Sequence, residues 1–245
     1  LGPVRRTVGP STAPSIARMP DGAVHLLGTL ALFAGMTCFR EPFMKYEWKK
    51  NEKNLYGVKQ KPQLIEIPSA YYIMIKGEGN PNESDFSNRV SALYSLAYGI
   101  KMLFKNMEKE ELEYSDFIVF PLEGIWEKSD DEEFDKNKLK YTIMIKQPYF
   151  ITKEIFELAF EKMKKKKPNE LYDEVSFDCI ESKKAIQILH IGSFDTEIES
   201  FEKLDNFAIE MNLERSEKLH TEIYLNNKNR TAEDKLKTIL RYNVK

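Results

Sequence analysis

The sequence predicts an α+β domain: tandem βαββ repeats joined into one antiparallel sheet, with the helices on one face and a pocket at the pseudo-twofold axis. Three observations carry this expectation. Strand-like and helix-like periods alternate as strand, helix, strand, strand, and the same order then recurs. Residues 65–77 align without a gap to residues 180–192 at a constant offset of 115, with Ile, Glu, Ala, Ile and Gly coinciding. Phe86, Val90, Leu93, Ala97, Ile100 and Phe104 make a helical stripe wide enough to lie flat on a sheet. Two such units bury their apolar faces best by merging into one sheet.

Each element has a local reason. Residues 45–61 hold helix formers broken by Gly57 and ended by Pro62, so a short helix or ordered arm is expected. Ala70–Lys76 reads as a strand, followed by a turn cluster of Gly77, Gly79, Asn80 and Pro81. Phe86–Asn106 is the strongest helix, with Ser84 or Asp85 as its cap. Asp116–Trp126 and Lys140–Lys146 read as strands joined by the acidic loop 127–138. Thr152–Lys167 is a second helix, stopped by Pro168; its lysine run fits a solvated helix end better than an anion site. Val175–Gly192 resumes strand pattern. Thr196–Met211 is a third helix in which Thr196 and Glu199 fit a capping box. His220–Leu225 and Lys237–Val244 close the chain as a hairpin.

Composition narrows the function. A net charge of -2, with lysines and acids interspersed, argues against direct nucleic-acid binding. Two cysteines form no disulfide framework, and three scattered histidines have no metal-ligand spacing. The expected compartment is therefore the cytoplasm, with no metal and no cofactor. Residues 1–43 contain no lysine and four arginines, whereas residues 44–245 contain all 29 lysines and only four arginines. That contrast marks 1–43 as a leader, expected to be non-native (vector-derived or mis-assigned) or disordered, with Met44 as the natural start. Its apolar run at 23–36 is too short to span a bilayer, so no membrane is expected. Residues 44–245 then form a single domain, with repeats at about 64–150 and 175–245.

The segment His220-Thr221-Glu222-Ile223-Tyr224-Leu225 alternates cleanly. Thr221, Ile223 and Leu225 suit a core, while His220, Glu222 and Tyr224 share the other face. A carboxylate between an imidazole and a phenol either meets water or lines a cavity. In a cavity, the acid and its aromatic neighbour hold a lipophilic cation by charge and by ring quadrupole. The duplication also aligns Glu123 with Glu222 at an offset of 99, which would bring both acids to the axis, one from each half. A bulge at Gly124 would bring Trp126 to the face of Glu123. Tyr98 and Tyr71 are further candidates for the lining. His190 and His220 read as satisfied imidazoles. No nucleophile elbow, phosphate loop, dinucleotide fingerprint or zinc motif is present.

Several of these stretches together resemble the GyrI-like small-molecule-binding family. They are Ile73-Met74-Ile75-Lys76-Gly77-Glu78-Gly79-Asn80-Pro81, Pro121-Leu122-Glu123-Gly124-Ile125-Trp126, Gln187-Ile188-Leu189-His190-Ile191-Gly192, His220–Leu225 and residues 230–241. The resemblance covers about residues 46–245. It implies one pocket at the pseudo-twofold axis and a stand-alone protein that binds small hydrophobic or cationic aromatic ligands. Effector domains of multidrug-sensing regulators in this family meet cations with a glutamate matching Glu222. The resemblance also implies an alternative, a hydrolase that opens the cyclopropane of DNA-alkylating compounds, with Glu222 as its catalytic residue. A third reading is a protein-binding inhibitor or adaptor that uses the acidic loop. The chain departs from the family pattern after Trp126, where Glu127 stands in place of a second tryptophan.

Overall fold

The computed structural model describes residues 44–108, 113–127 and 135–245. Residues 1–43, where a leader was expected, and most of the acidic loop lie outside these residues. Eight strands form one mixed-order antiparallel sheet: β2 (Gln63–Ile67), β3 (Ala70–Glu78), β5 (Leu122–Glu127), β6 (Lys140–Lys146), β7 (Ser176–Ile180), β8 (Lys183–Ile191), β9 (Leu219–Tyr224) and β10 (Lys237–Asn243). Their order across the sheet is β2-β8-β10-β9-β5-β6-β3-β7. The halves meet at β5 and β9, and each lends its leading strand to the other: β2 pairs with β8, and β7 with β3. That exchange ties the repeats together at both edges as well as at the centre.

The 115-residue offset preserves the sheet face. Ile73 and its counterpart Ile188 both point at the helices and are 0% and 1% exposed. Helix α3 (Ser84–Asn106) buries Leu93, Leu96, Ala97, Ile100 and Phe104 against Ile73, Ile75, Ile143 and Ile145. Helix α5 (Glu197–Glu210) buries Leu204 and Ala208 against Ile186, Ile188 and Leu240. Each fully buried Leu, Ile or Phe contributes about 1.5–3 kcal/mol, so these stripes hold the helices down. Helix α4 (Lys153–Lys166) lies on α3. Its Met163 fills the space of the missing Gly99 side chain, where a Cβ would come within 2.6 Å of the Met163 Cγ.

Several expectations shift in detail. The stretch 116–126 is two strands, because Pro121 cannot donate to a ladder. Its first part is β4 (Tyr114–Phe117), which pairs in parallel with β1 (Met44–Tyr46) outside the main sheet. The stretch 175–192 also divides, into β7 and β8. Helix α3 starts one residue after Glu83, and no side chain caps it. The Thr196–Glu199 capping box does not form; Thr196 Oγ1 donates instead to the Ser193 carbonyl at 2.8 Å.

The arm holds two short helices, α1 (Trp48–Asn51) and α2 (Lys53–Tyr56), and crosses the sheet face opposite α3 and α5. Trp48, Leu55, Tyr56 and Val58 are buried there. Beneath them lies a buried polar network. Arg241 donates to Gln187 Oε1 at 2.7 and 3.0 Å and to the Leu55 carbonyl at 3.2 Å. Lys146 pairs with Glu52.

Candidate functional site

Alternation along β9 puts His220, Glu222 and Tyr224 on the helix-covered face, as the spacing requires. His220 Nε2 lies 3.0 Å from Glu222 Oε1, and the Tyr224 hydroxyl donates to Glu222 Oε2 at 2.8 Å. Trp126 Nε1 donates in turn to the Tyr224 hydroxyl at 3.0 Å. The Glu222 side chain is only 13% exposed. Phe86 stacks on Trp126 at 5.9 Å, and Tyr141 lies 5.3 Å from the same indole. Phe194 meets Tyr224 edge-on at 6.0 Å, and Phe201 meets His220 at 5.0 Å. Glu222 is thus a mostly buried carboxylate inside an aromatic enclosure. Burial, followed by the charge of Glu222, pushes the Tyr224 phenol well above its usual range.

Gly124 lies directly opposite Glu222 across the β5–β9 ladder. A Cβ at Gly124 would come within 2.6 Å of Trp126 Nε1 and 3.2 Å of the Tyr224 hydroxyl. Its absence lets the indole fold back along its own strand to reach Tyr224. With Ile73 matched to Ile188, the ladders match Leu122 with Glu222, an offset of 100 between β5 and β9. The pseudo-twofold axis then crosses the β5–β9 ladder at the Glu123–Ile223 pair, next to Gly124 and Glu222. One half supplies the acid and the other supplies the space.

Glu123 does not join this site. It pairs with Ile223, and β5 alternates without a bulge, so Glu123 and Trp126 remain on opposite faces. The expected offset of 99 is out by one residue, and a one-residue slip turns every side chain over. Glu123 is 1% exposed on the arm-covered face, where its Oε1 accepts from the Tyr56 hydroxyl at 3.0 Å. Burial raises its carboxyl, and the charges of Arg241 and Lys146 pull it back down.

Tyr71 lies three strands from β9, where it stacks on Phe177 at the sheet edge at 5.0 Å. Tyr98 is 54% exposed, with its ring 6.4 Å from that of Tyr94. Tyr94, one turn earlier on α3, is the buried member of that pair and hydrogen-bonds the Leu122 backbone. His190 is satisfied, with its ring nitrogens 2.9 Å from Ser200 Oγ and 3.0 Å from the Ser193 carbonyl.

Sequence reasoning missed Glu197, the first residue of α5. It is 7% exposed, and its Oε1 has no hydrogen-bond partner among the described residues. Burial and the neighbouring charges of Glu222 and Asp195 push its carboxyl up to about 10. In the sequence it is an ordinary acid in a first helical turn. Only its position between Phe194 and Phe201 hints that it faces inward.

Two surface hollows lie elsewhere. One, of about 680 Å³, is lined by Trp48, Tyr56, Leu225, Lys235 and Lys237 among others; the second, of about 500 Å³, is lined by Gly77, Ile125, Tyr141 and Leu219 among others. Neither is lined by Glu222. Among the described residues no group of three His, Cys, Asp or Glu side chains could hold a metal ion, and no helix is long and apolar enough to cross a membrane.

Fold and site together define an α+β ligand-binding domain with its enclosure beside the internal axis. A family model described as the GyrI-like small molecule binding domain matches residues 60–243, and the chain belongs to that family. It is similar to the crystal structure of a hydrolase encoded by lin2189 from Listeria innocua. That likeness has 33% identity and a TM-score of 0.74, and covers 82% of this chain and 100% of that one. A structure of an uncharacterized conserved protein from Listeria innocua matches at 33% identity over the same shares, with a TM-score of 0.73. No match was found among curated proteins.

Proposed function

We propose that this small-molecule-binding domain takes up lipophilic cations, with Glu222 as the charge that holds them. The observation that carries this reading is a carboxylate, 13% exposed, walled by aromatic rings and paired with no lysine or arginine among the described residues. A desolvated cation gains from the acid and from ring faces such as those of Trp126 and Tyr224. Phe194, Tyr224, Trp126 and Phe201 stand close around the acid and its partners, so entry of a ligand calls for movement of a wall. Phe194, 38% exposed on the turn before α5, is the ring placed to move. The test is calorimetry with tetraphenylphosphonium, a permanently charged aromatic cation. Glu222→Gln should weaken binding by about tenfold or more, the scale of a lost charged partner, while the fold is retained. Equal affinity in both proteins would remove Glu222 from this role.

A second reading is favoured by the Listeria innocua hydrolase, which is 33% identical over its whole length. In this reading Glu222 takes a proton from water as the water oxygen bonds to a carbon of the strained ring; one ring C–C bond breaks, its electron pair passes to the substrate's conjugated electron-withdrawing group, and that group is then protonated. His220, 3.0 Å from the acid, would orient it. Turnover of a cyclopropane-bearing alkylating compound, abolished in Glu222→Gln, supports hydrolysis. Stoichiometric binding without turnover supports the first reading.

A further inference from the structure

Glu197 stands over the middle of β9. Phe194, three residues before it, touches Tyr224, and Phe201, four residues after it, touches His220. The residue between those two contacts lies above the strand residue between 220 and 224, which is Glu222. Glu222 has a donor or imidazole on each oxygen, whereas Glu197 keeps one oxygen buried and, among the described residues, unpartnered. No lysine or arginine pairs with either acid among the described residues. Two carboxylates confined in this way do not both ionise without a cation between them.

We propose that Glu197 holds an exchangeable proton beside Glu222 and releases it to solvent when a cationic ligand enters, so that uptake exchanges one cation for one proton. This rests on the cation-binding reading of the same site. The charges balance: a neutral carboxyl becomes a carboxylate, the proton leaves, and the ligand's positive charge replaces it. A large delocalised cation that reaches both acids benefits. A neutral compound of the same shape gains nothing from the deprotonation, so discrimination between the two widens as pH rises.

Among the described residues, the other titratable groups near the pair are these. His220 is on β9, with Nε2 3.0 Å from Glu222 Oε1 and its ring against Phe201. Tyr224 is pushed well above its usual range. Asp195, on the turn before α5, is 84% exposed and lies 3.8 Å from Lys136. His190, on β8, is held by Ser200 and Ser193. Trp126 on β5 and Phe86 on α3 do not titrate.

The experiment is calorimetric titration of tetraphenylphosphonium between about pH 7 and pH 9, in buffers of different ionisation heat. The wild-type chain should release about one proton per cation bound, and its affinity should rise about tenfold per pH unit. Glu197→Gln should release none and show a flat profile. Infrared spectra of the ligand-free protein at neutral pH should carry a protonated-carboxyl band that Glu197→Gln lacks. Binding without proton release, or a slope unchanged in Glu197→Gln, overturns the exchange and leaves cation binding standing. No binding by folded wild type anywhere in the range overturns both.

Discussion

Two buried glutamates sit one ladder step apart on neighbouring central strands, yet they occupy different environments. Glu123, beneath the N-terminal arm, accepts from Tyr56 and lies within the field of Arg241 and Lys146. Its charge is used up inside the fold. Among the described residues Glu222, beneath α5, has only a phenol and an imidazole as partners, and it faces a second acid. Its charge has no lysine or arginine partner among the described residues. Burial of an acid therefore does not mark a binding site by itself. The cations around it decide whether the acid holds the fold together or remains available to a ligand.

The comparison can be broken on the arm-covered face. Arg241→Leu removes the guanidinium that binds Gln187 and the Leu55 carbonyl, and strands Glu123 without it. Breaking a buried charged network in this way should cost about 3–5 kcal/mol, read from urea unfolding. Glu222→Gln in the same assay should cost less than about 1 kcal/mol, because Tyr224 keeps an acceptor and no paired lysine or arginine is stranded among the described residues. Equal costs would show that both acids are structural.

Gly124→Ala tests the packing beside the axis. The added methyl would sit 2.6 Å from Trp126 Nε1, so the indole must swing off Tyr224. A loss of about 1–3 kcal/mol is expected, the usual cost of overpacking, together with a shift in tryptophan fluorescence. An unchanged spectrum would show that the indole does not need that space.

Glu197 gives an effect that shows only as a pH dependence. Its carboxyl is raised in the folded chain from 4.5 to about 10. The stability that its proton provides is fully present below the unfolded value near 4.5 and is lost as pH rises through the folded value. Between the two, stability should fall by up to about 1.4 kcal/mol per pH unit from this group. Thermal melts of the wild type and Glu197→Gln across that window should diverge, with the variant less sensitive to rising pH. Parallel curves would place Glu197 in water.

The architecture was largely legible in the chain. Helix α3 was marked by its apolar stripe, and β3 and β8 by the 115-residue offset, because both signals are written in local periodicity. The strand β9 was equally plain: period-two alternation puts His220, Glu222 and Tyr224 on one face wherever the strand lies. Trp126 and Tyr224 were recognised as residues, but not as a hydrogen-bonded pair.

The face of Glu123 and the inward turn of Glu197 were decided only in three dimensions. The first depends on the register between β5 and β9, which a short repeat aligned one residue out of step does not reveal. The second depends on where α5 settles over the sheet. Sequence periodicity determines which residues of one element travel together. The docking of elements far apart in the chain determines which groups they meet, and so which acid finds a cation and which is left without one.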